Sequence, residues 1–177
     1  MMSKYMKFEA NKAVVNMGTE EADFDSATYT DVHIGMDTNS SDNAMYATLW
    51  NAEEALKASN QFIDYVIKNQ KSRILVVDEL GDLLDGYNGQ TTRGGHELPQ
   101  NMSNEEVFDC GLQFKMNILD KAVNYYDKII FNNICNDNHA GSFGYFVNSA
   151  FKSLAEQKYG DKILVNNYRQ FMSHYFV

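Results

Sequence analysis

The stretch RILVVDELGDLLDG at residues 73–86 indicates the class of fold. Residues 74–77 form a continuous apolar run, which is typical of a parallel strand buried on both faces. Asp82 and Asp85 follow it between glycines, which allow the backbone to turn tightly and to approach a ligand. A buried strand followed by a polar turn predicts an open α/β sheet with a binding site beyond the end of that strand.

The sequence on either side alternates between strand-like and helix-like segments. Strands are predicted at 27–30, 73–77, 128–131, 162–165 and 170–177. Helices are predicted at 45–67, 103–123 and 143–158. Ser41 or Asp42 would be the N-cap of the first helix, and Ser103-x-x-Glu106 would form a capping box at the start of the second. Gly160 would end the third helix. Residues 86–102 hold the sole proline, Pro99, and read as a long loop. This order favours a layered α/β domain with a largely parallel sheet.

The composition agrees with one globular domain over residues 1–177. The chain is 44% hydrophobic and 13% aromatic, which is enough for a sizeable core. Its two cysteines, Cys110 and Cys135, cannot form a disulfide framework, and both read as buried small hydrophobes. A reducing compartment fits this cysteine usage, and the N-terminus lacks the apolar region of a signal peptide, so we expect a cytoplasmic protein. No apolar run approaches the ~20 residues of a membrane span, so we expect no membrane partner.

The net charge of −9 restricts the ligands that the protein can attract. It disfavours nucleic-acid binding that is driven by the overall electrostatic field. It leaves room for a phosphate substrate, because bound metal ions can supply the positive charge.

Three polar blocks each follow a predicted strand. They are DVHIG at 31–35, GDLLDG at 81–86 and NDNH at 136–139. Since ligands of open α/β sheets bind beyond the carboxyl ends of the strands, we expect the three blocks to converge on one crevice. Aspartate, histidine and asparagine oxygen are metal ligands, and their mixture suits Mn²⁺, Fe²⁺ or Zn²⁺. On an extended strand end, Asp31 and His33 would point to the same side and hold one ion together.

Each block alone also has a plain structural interpretation. An Asp-x-His triplet is common by chance, and the second and third blocks both fit polar turns. His96 reads as an exposed loop histidine, and His174 as a structural residue of the last strand. The metal-site interpretation therefore rests on the order of all three blocks and on their positions behind strands.

In this order the three blocks resemble the calcineurin-like metallophosphoesterase superfamily over about residues 28–141. Gly81-Asp82-Leu83-Leu84-Asp85 is a full match and 31–35 is a close one, whereas Asn138-His139 keeps the core of the third motif without its usual flanks. The asparagine-rich sequence of the third block and the segment 143–146 are similar to divergent bacteriophage members of this superfamily.

The resemblance implies a metal-dependent phosphoester hydrolase with two divalent ions. Mn²⁺ is the expected metal, and Fe²⁺, Zn²⁺ and Ni²⁺ are the alternatives. Asp31 and His33 would hold the first ion, Asp82 would bridge both ions, and Asn138 would bind the second. A metal-bound hydroxide would attack phosphorus in line. The catalytic residue would be His139, which would neutralise a phosphoryl oxygen or protonate the leaving group. Asp85 would fix the loop or orient His33.

The family's C-terminal histidine motifs have no counterpart here, since only His174 follows His139. The resemblance implies an α/β/β/α sandwich whose second sheet lies largely beyond residue 177, so we expect the N-terminal portion of such an enzyme. A chain of this kind would expose a sheet edge that favours self-association.

Three functions remain open from the sequence. The first is a phosphatase, phosphodiesterase or DNA nuclease, whose substrate is a phosphomonoester, a phosphodiester or DNA. The second is a catalytically incomplete metal-binding or interaction module that keeps the fold. The third is a flavodoxin-like or Rossmann nucleotide binder, which ranks last because the glycine fingerprint after the first strand is missing.

Overall fold

Residues 22–38 and 49–169 are described by a computed structural model, and they fold as an α/β unit. Strands and helices alternate along the chain in the order β1, α1, β2, α2, β3, α3, β4. The strands are β1 (Asp25–Tyr29), β2 (Ile74–Glu79), β3 (Lys128–Ile134) and β4 (Ile163–Tyr168). The helices are α1 (Ala52–Lys68), α2 (Asn104–Ala122) and α3 (Ser142–Tyr159), and a 3₁₀ turn at Gly160–Lys162 leads into β4.

The four strands form one parallel sheet in the order β1-β2-β3-β4. Val77 in β2 lies between Ala27 in β1 and Phe131 in β3. Because successive crossovers in the same direction share one hand, they bring their helices to one side of the sheet. The α/β class and the parallel sheet that the sequence predicts are confirmed.

All three helices pack on the same face of this sheet. Tyr29 of β1 meets Phe62 of α1 and Phe114 of α2 with ring centroids 5.6 and 5.4 Å apart. Phe131 of β3 meets Phe151 of α3 at 4.9 Å. Seven strand residues of the main hydrophobic cluster lie on this face: Ala27, Leu75, Val77, Ile129, Phe131, Ile163 and Val165. Burial of these apolar side chains, at about 25 cal/mol per Å², supplies the main stabilisation of the fold.

The opposite face of the sheet is partly exposed. Ser26 and Thr28 are exposed, and Ile74 and Leu164 are 37% and 42% exposed. In the described residues this face is tied across strands by polar side chains, since Asn132 donates to Asp78 and Asn166 donates to Asn132, both at 2.9 Å. A sheet that covers this face, as the α/β/β/α layering requires, stays a prediction.

The first helix begins later than its apolar pattern predicts. Leu49 and Trp50 are not helical, and α1 begins at Ala52 behind Asn51, whose side chain accepts from Glu54 N–H at 3.0 Å. A continuous helix through Leu49 is therefore wrong, because Asn51 adopts extended backbone angles and caps the first turn. The predicted start at Met45, the caps at 41–42, the strand at 170–177 and His174 lie outside the described residues.

The remaining elements follow the sequence closely. Ser103 and Glu106 form the predicted capping box of α2. The third helix ends at Tyr159, where Gly160 adopts a φ of 53°. In the described part of the chain, no helix combines the length and the apolar character that crossing a bilayer would need.

Candidate metal centre

The three polar blocks meet at the carboxyl edge of the sheet, beyond the ends of β1, β2 and β3. These strands are parallel neighbours, so their carboxyl ends lie side by side. The expected convergence of residues 31–35, 81–86 and 136–139 is confirmed by the contacts described below.

The backbones of the first two blocks run alongside each other. Asp31 N–H donates to the Gly81 carbonyl at 3.2 Å, and His33 N–H donates to the Asp82 carbonyl at 3.0 Å. One residue further along, Ile34 and Leu84 form a parallel bridge. The position of the Gly81–Asp82 turn therefore determines where Asp31 and His33 lie.

Asp31 and His33 are brought together by a different backbone from the one predicted. β1 ends at Tyr29, and Asp31 and His33 both adopt positive φ angles, 53° and 49°. The extended strand end that we expected is wrong, although Asp31 Oδ1 still lies 3.6 Å from His33 Nε2. Asp82 also has a positive φ of 52°. Such angles cost of order 1–3 kcal/mol for residues with a side chain, and they cluster at functional sites.

Asp85 lies between the two histidines of the site. Its Oδ1 is 3.0 Å from His33 Nδ1, and its backbone carbonyl oxygen is 3.2 Å from His139 Nδ1. A carboxylate and a carbonyl can only accept, so each ring donates through Nδ1–H, and in its neutral form each ring has a free lone pair on Nε2. The orienting contact that we expected between Asp85 and His33 is present, and Asp85 holds His139 as well. The two imidazole rings lie 4.5 Å apart between centroids.

Asp137 joins the third block to the second, a role that sequence reasoning missed. Its Oδ2 accepts from Asp82 N–H at 3.2 Å, and its Oδ1 accepts from Ala140 N–H at 2.7 Å. The sequence shows Asp137 only as a departure from the motif of the superfamily. The signal for its role was its place directly before Asn138-His139, where a short acceptor can hold the loop.

One group of side chains could hold a metal ion. His33, Asp82 and His139 each offer a ligand atom, and these atoms lie within 4.8 Å of one another. Asp82 Oδ1 is buried and has no hydrogen-bond partner in the part of the chain that the structure describes. Since a buried unpaired oxygen is costly, a cation there would compensate it. Two imidazoles and a carboxylate are the donor set that Mn²⁺, Fe²⁺ and Zn²⁺ accept, so the residues fit such an ion.

Two residues of the group, His33 and Asp82, have raised pKa values. The hydrogen bond from Asp85 raises the pKa of His33, against the lowering effect of burial, and the charges of Asp85, Asp82 and Asp31 add to the rise. Burial raises the pKa of Asp82, and the neighbouring Asp137 adds to that rise. Neighbouring carboxylates contribute to both rises, although burial is the larger cause for Asp82.

The remaining predicted ligands lie at the rim of the group. The Asp31 side chain is 62% exposed, and its contact with the group is the 3.6 Å approach of its Oδ1 to His33 Nε2. Asn138 is exposed, and its backbone carbonyl accepts from Arg93 N–H at 3.1 Å. The structure thus brings His33, Asp82 and His139 together with Asp31 beside them, whereas coordination by Asn138 stays a prediction. His96 lies exposed in the 86–102 loop, as expected.

A mostly apolar cavity of about 490 Å³ opens beside Asp31 and His33. Trp50 lines it, and its indole Nε1–H donates to the His33 carbonyl at 3.1 Å, which ties the cavity wall to the candidate ligands. A ligand held at the candidate metal centre could extend an apolar group into this cavity. Comparison of the chain with protein-family models, with curated proteins and with solved structures finds no match.

Proposed function

We propose that this chain binds divalent metal at the carboxyl edge of its sheet and hydrolyses phosphoesters there. The observation that carries the proposal is the group formed by His33, Asp82 and His139, whose ligand atoms lie within 4.8 Å of one another. These residues come from three separate blocks that meet only in the folded chain. The resemblance of the blocks to metallophosphoesterases supplies the reaction class.

In this proposal the residues divide into ligands and a proton donor. His33 Nε2, Asp82 and Asp31 hold the first ion, and Asn138 together with Asp82 holds the second. When bound, the ions would stabilise charge on the phosphoryl oxygens and activate a water as the nucleophile. His139 donates Nδ1–H to the Asp85 carbonyl, so the proton that it gives to the leaving-group oxygen would be a second one, carried on Nε2.

The α/β/β/α layering belongs to the same proposal. The exposed side of the described sheet is where a second sheet would pack, because parallel sheets are usually covered on both faces. Substrates in this proposal are phosphomonoesters, phosphodiesters or DNA, and the cavity beside His33 favours an ester with an apolar group. β1 and β4 are the edges of the described sheet through which a second copy would associate.

A second candidate function is metal binding without catalysis. His139 offers a ligand atom to the same group as His33 and Asp82. If His139 coordinated the ion through Nε2, that nitrogen would carry no proton and its Nδ1–H would stay on the Asp85 carbonyl, so the centre would lack its acid.

The experiment measures hydrolysis of p-nitrophenyl phosphate and bis-p-nitrophenyl phosphate with Mn²⁺ and with a chelator. We expect hydrolysis to require Mn²⁺ and to fall at least 100-fold in Asp82→Asn. The substitution replaces the carboxylate, whose buried Oδ1 has no hydrogen-bond partner among the described residues, by an uncharged amide that binds a cation more weakly. His96→Asn changes an exposed histidine of the 86–102 loop and is the matched control. Mn²⁺ binding without hydrolysis of either ester would leave the second candidate, and no Mn²⁺ binding would overturn both.

A further inference from the structure

Glu79 is a carboxylate buried at the end of β2, directly before the turn of the metal centre. It is 1% exposed, and its Oε1 accepts from Gly81 N–H at 2.7 Å. Its Oε2 accepts from Lys115 Nζ of α2 and from Asn148 Nδ2 of α3, both at 3.2 Å. One buried carboxylate therefore joins two helices to the backbone of the turn.

Lys115 is the counter-charge of Glu79 in the core. It is fully buried, and its Nζ also donates to Asn133 Oδ1 at 2.8 Å. The Nζ lies 5.7 Å from the Tyr29 ring centroid and 5.5 Å from that of Phe151. Burial lowers the pKa of Lys115, and the charge of Glu79 opposes that shift.

The turn that Glu79 holds carries the first two blocks of the metal centre. Gly81, whose N–H donates to Glu79, accepts Asp31 N–H through its carbonyl at 3.2 Å. Its neighbour Asp82 supplies a candidate ligand atom and accepts His33 N–H at 3.0 Å. A displacement of Gly81 would therefore move Asp31, His33 and Asp82 together.

Stability alone does not account for a buried ion pair at this place. A buried pair is often no more stable than apolar residues of the same size, because desolvating two charges offsets their attraction. An apolar side chain at position 79 would, however, leave the Gly81 N–H without its acceptor. Position 79 therefore needs a side chain that accepts a hydrogen bond from Gly81 N–H, which is the role of Glu79 Oε1. The other oxygen of Glu79, Oε2, accepts from Lys115 and Asn148.

We propose that Glu79 is a positioning residue of the metal centre, held by Lys115 and Asn148 so that its Oε1 places the Gly81–Asp82 turn. This inference rests on the proposed function, because it assigns Glu79 to the same metal site. Glu79 acts through the backbone of the turn and touches neither metal nor substrate.

The test compares two variants that both lack the buried charges. Glu79→Gln/Lys115→Met keeps an amide oxygen for Gly81 N–H, whereas Glu79→Leu/Lys115→Met has a side chain of similar size with no acceptor. Asn148 Oδ1 has no hydrogen-bond partner in the described part of the chain, so the Asn148 amide can rotate to accept from the glutamine. The two proteins therefore differ mainly in the bond to Gly81.

Mn²⁺ affinity is measured by titration calorimetry, and folding is checked by circular dichroism. We expect the leucine double variant to bind Mn²⁺ about 10–100-fold more weakly than the wild type, as is usual when a group supporting the ligands is lost. The glutamine double variant is expected to keep close to wild-type affinity. Lys158→Met removes the ion pair to Asp120 between α3 and α2 and serves as a control for general destabilisation.

A second readout follows the turn without metal. Amide hydrogen exchange at Gly81 is expected to be faster in the leucine double variant than in the glutamine one. If a double variant fails to fold, Glu79→Asp replaces it, because the shorter carboxylate keeps the charge but withdraws from Gly81, and it should weaken Mn²⁺ binding. Equal Mn²⁺ affinity in the two double variants would overturn this inference alone. Absence of Mn²⁺ binding by the wild type would overturn the proposed function and this inference with it.

Discussion

The carboxylate of Asp85 lies 3.0 Å from Nδ1 of His33, and the side chain of Asp85 is only 4% exposed. A buried carboxylate at this distance favours the charged imidazolium, which is why the pKa of His33 is raised in spite of burial. The same contact fixes the tautomer in which Nε2 is free to bind a metal.

Replacement of Asp85 by asparagine is therefore expected to lower the pKa of His33 in the metal-free protein. The largest cause of the raised pKa is the hydrogen bond to Asp85, and an amide lacks the charge that strengthens it. A raised folded-state pKa contributes stability that is fully present below the unfolded value of about 6.5 and is lost as pH rises through the folded value. NMR titration of the imidazole protons measures the shift, and urea unfolding as a function of pH measures the linked stability.

Asp64→Asn is the control for that experiment. Asp64 is an exposed carboxylate of α1 that pairs with Lys121. Its removal changes the net charge by the same amount as Asp85→Asn but is expected to leave the pKa of His33 unchanged. A pKa of His33 that is identical in the wild type and in Asp85→Asn would contradict the assigned cause.

Mn²⁺ is expected to stabilise the folded chain. An ion that binds only the native state adds about 2.7 kcal/mol at one hundred times its Kd, which for a chain of this size raises Tm by roughly 5–10 °C. The rise should disappear in His33→Asn. Because His33 must lose its proton to coordinate, and Asp85 raises its pKa, the affinity for Mn²⁺ should increase as pH rises through that pKa.

Differential scanning fluorimetry at several pH values measures this stabilisation. His96→Asn, in the exposed loop, is expected to keep the full increase in Tm. An increase that does not depend on pH, or that survives in His33→Asn, would mean that Mn²⁺ binds elsewhere on the chain.

The order of strands and helices could be predicted because its signals are local. The apolar run at 74–77 and the capping box of α2 each act within a few residues. The start of α1 could not be placed in this way, because Leu49 fits the helical periodicity although Asn51 caps the helix two residues later. Hydrophobic spacing alone does not distinguish a residue before the cap from one inside the helix.

The meeting of the three blocks could be predicted for a different reason. Parallel strands place their carboxyl ends at one edge, so the positions of the blocks behind strands were sufficient. The positive φ angles of Asp31 and His33 were not predictable, because pairing with residues 81–83 imposes them. The pair of Glu79 and Lys115 lies 36 residues apart in the chain and leaves no periodic signal.

Ser103→Ala is expected to destabilise the protein by about 1 kcal/mol. Ser103 Oγ accepts from Glu106 N–H at 3.3 Å, and Glu106 Oε2 accepts from Ser103 N–H at 3.0 Å. Alanine removes the first bond and leaves one amide at the start of α2 without an intramolecular acceptor. Urea unfolding gives the change, and Ser153→Ala, at an exposed position inside α3, is expected to cause no loss. Equal stability of the two variants would argue against the capping box.

The two thiols are expected to resist modification in the native protein. Cys110 and Cys135 are both fully buried, and burial raises the pKa of Cys110 to about 12 and that of Cys135 to about 11. The thiolate is the reactive form of a cysteine. With a pKa of about 11, only about one Cys135 side chain in a thousand is a thiolate at pH 8. Reaction with Ellman's reagent should therefore be slow in buffer, whereas both thiols should react at once in urea.

The same pKa shifts predict a loss of stability in alkaline solution. Between about pH 9 and pH 11 the thiols ionise in the unfolded chain but keep their protons in the folded one. Ionisation stabilises the unfolded state, so the free energy of unfolding falls as the pH rises. The double variant Cys110→Ala/Cys135→Ala should lose less stability over this range than the wild type. Rapid labelling of the native wild type, located by peptide mass analysis at either cysteine, would contradict the buried environment that raises both pKa values.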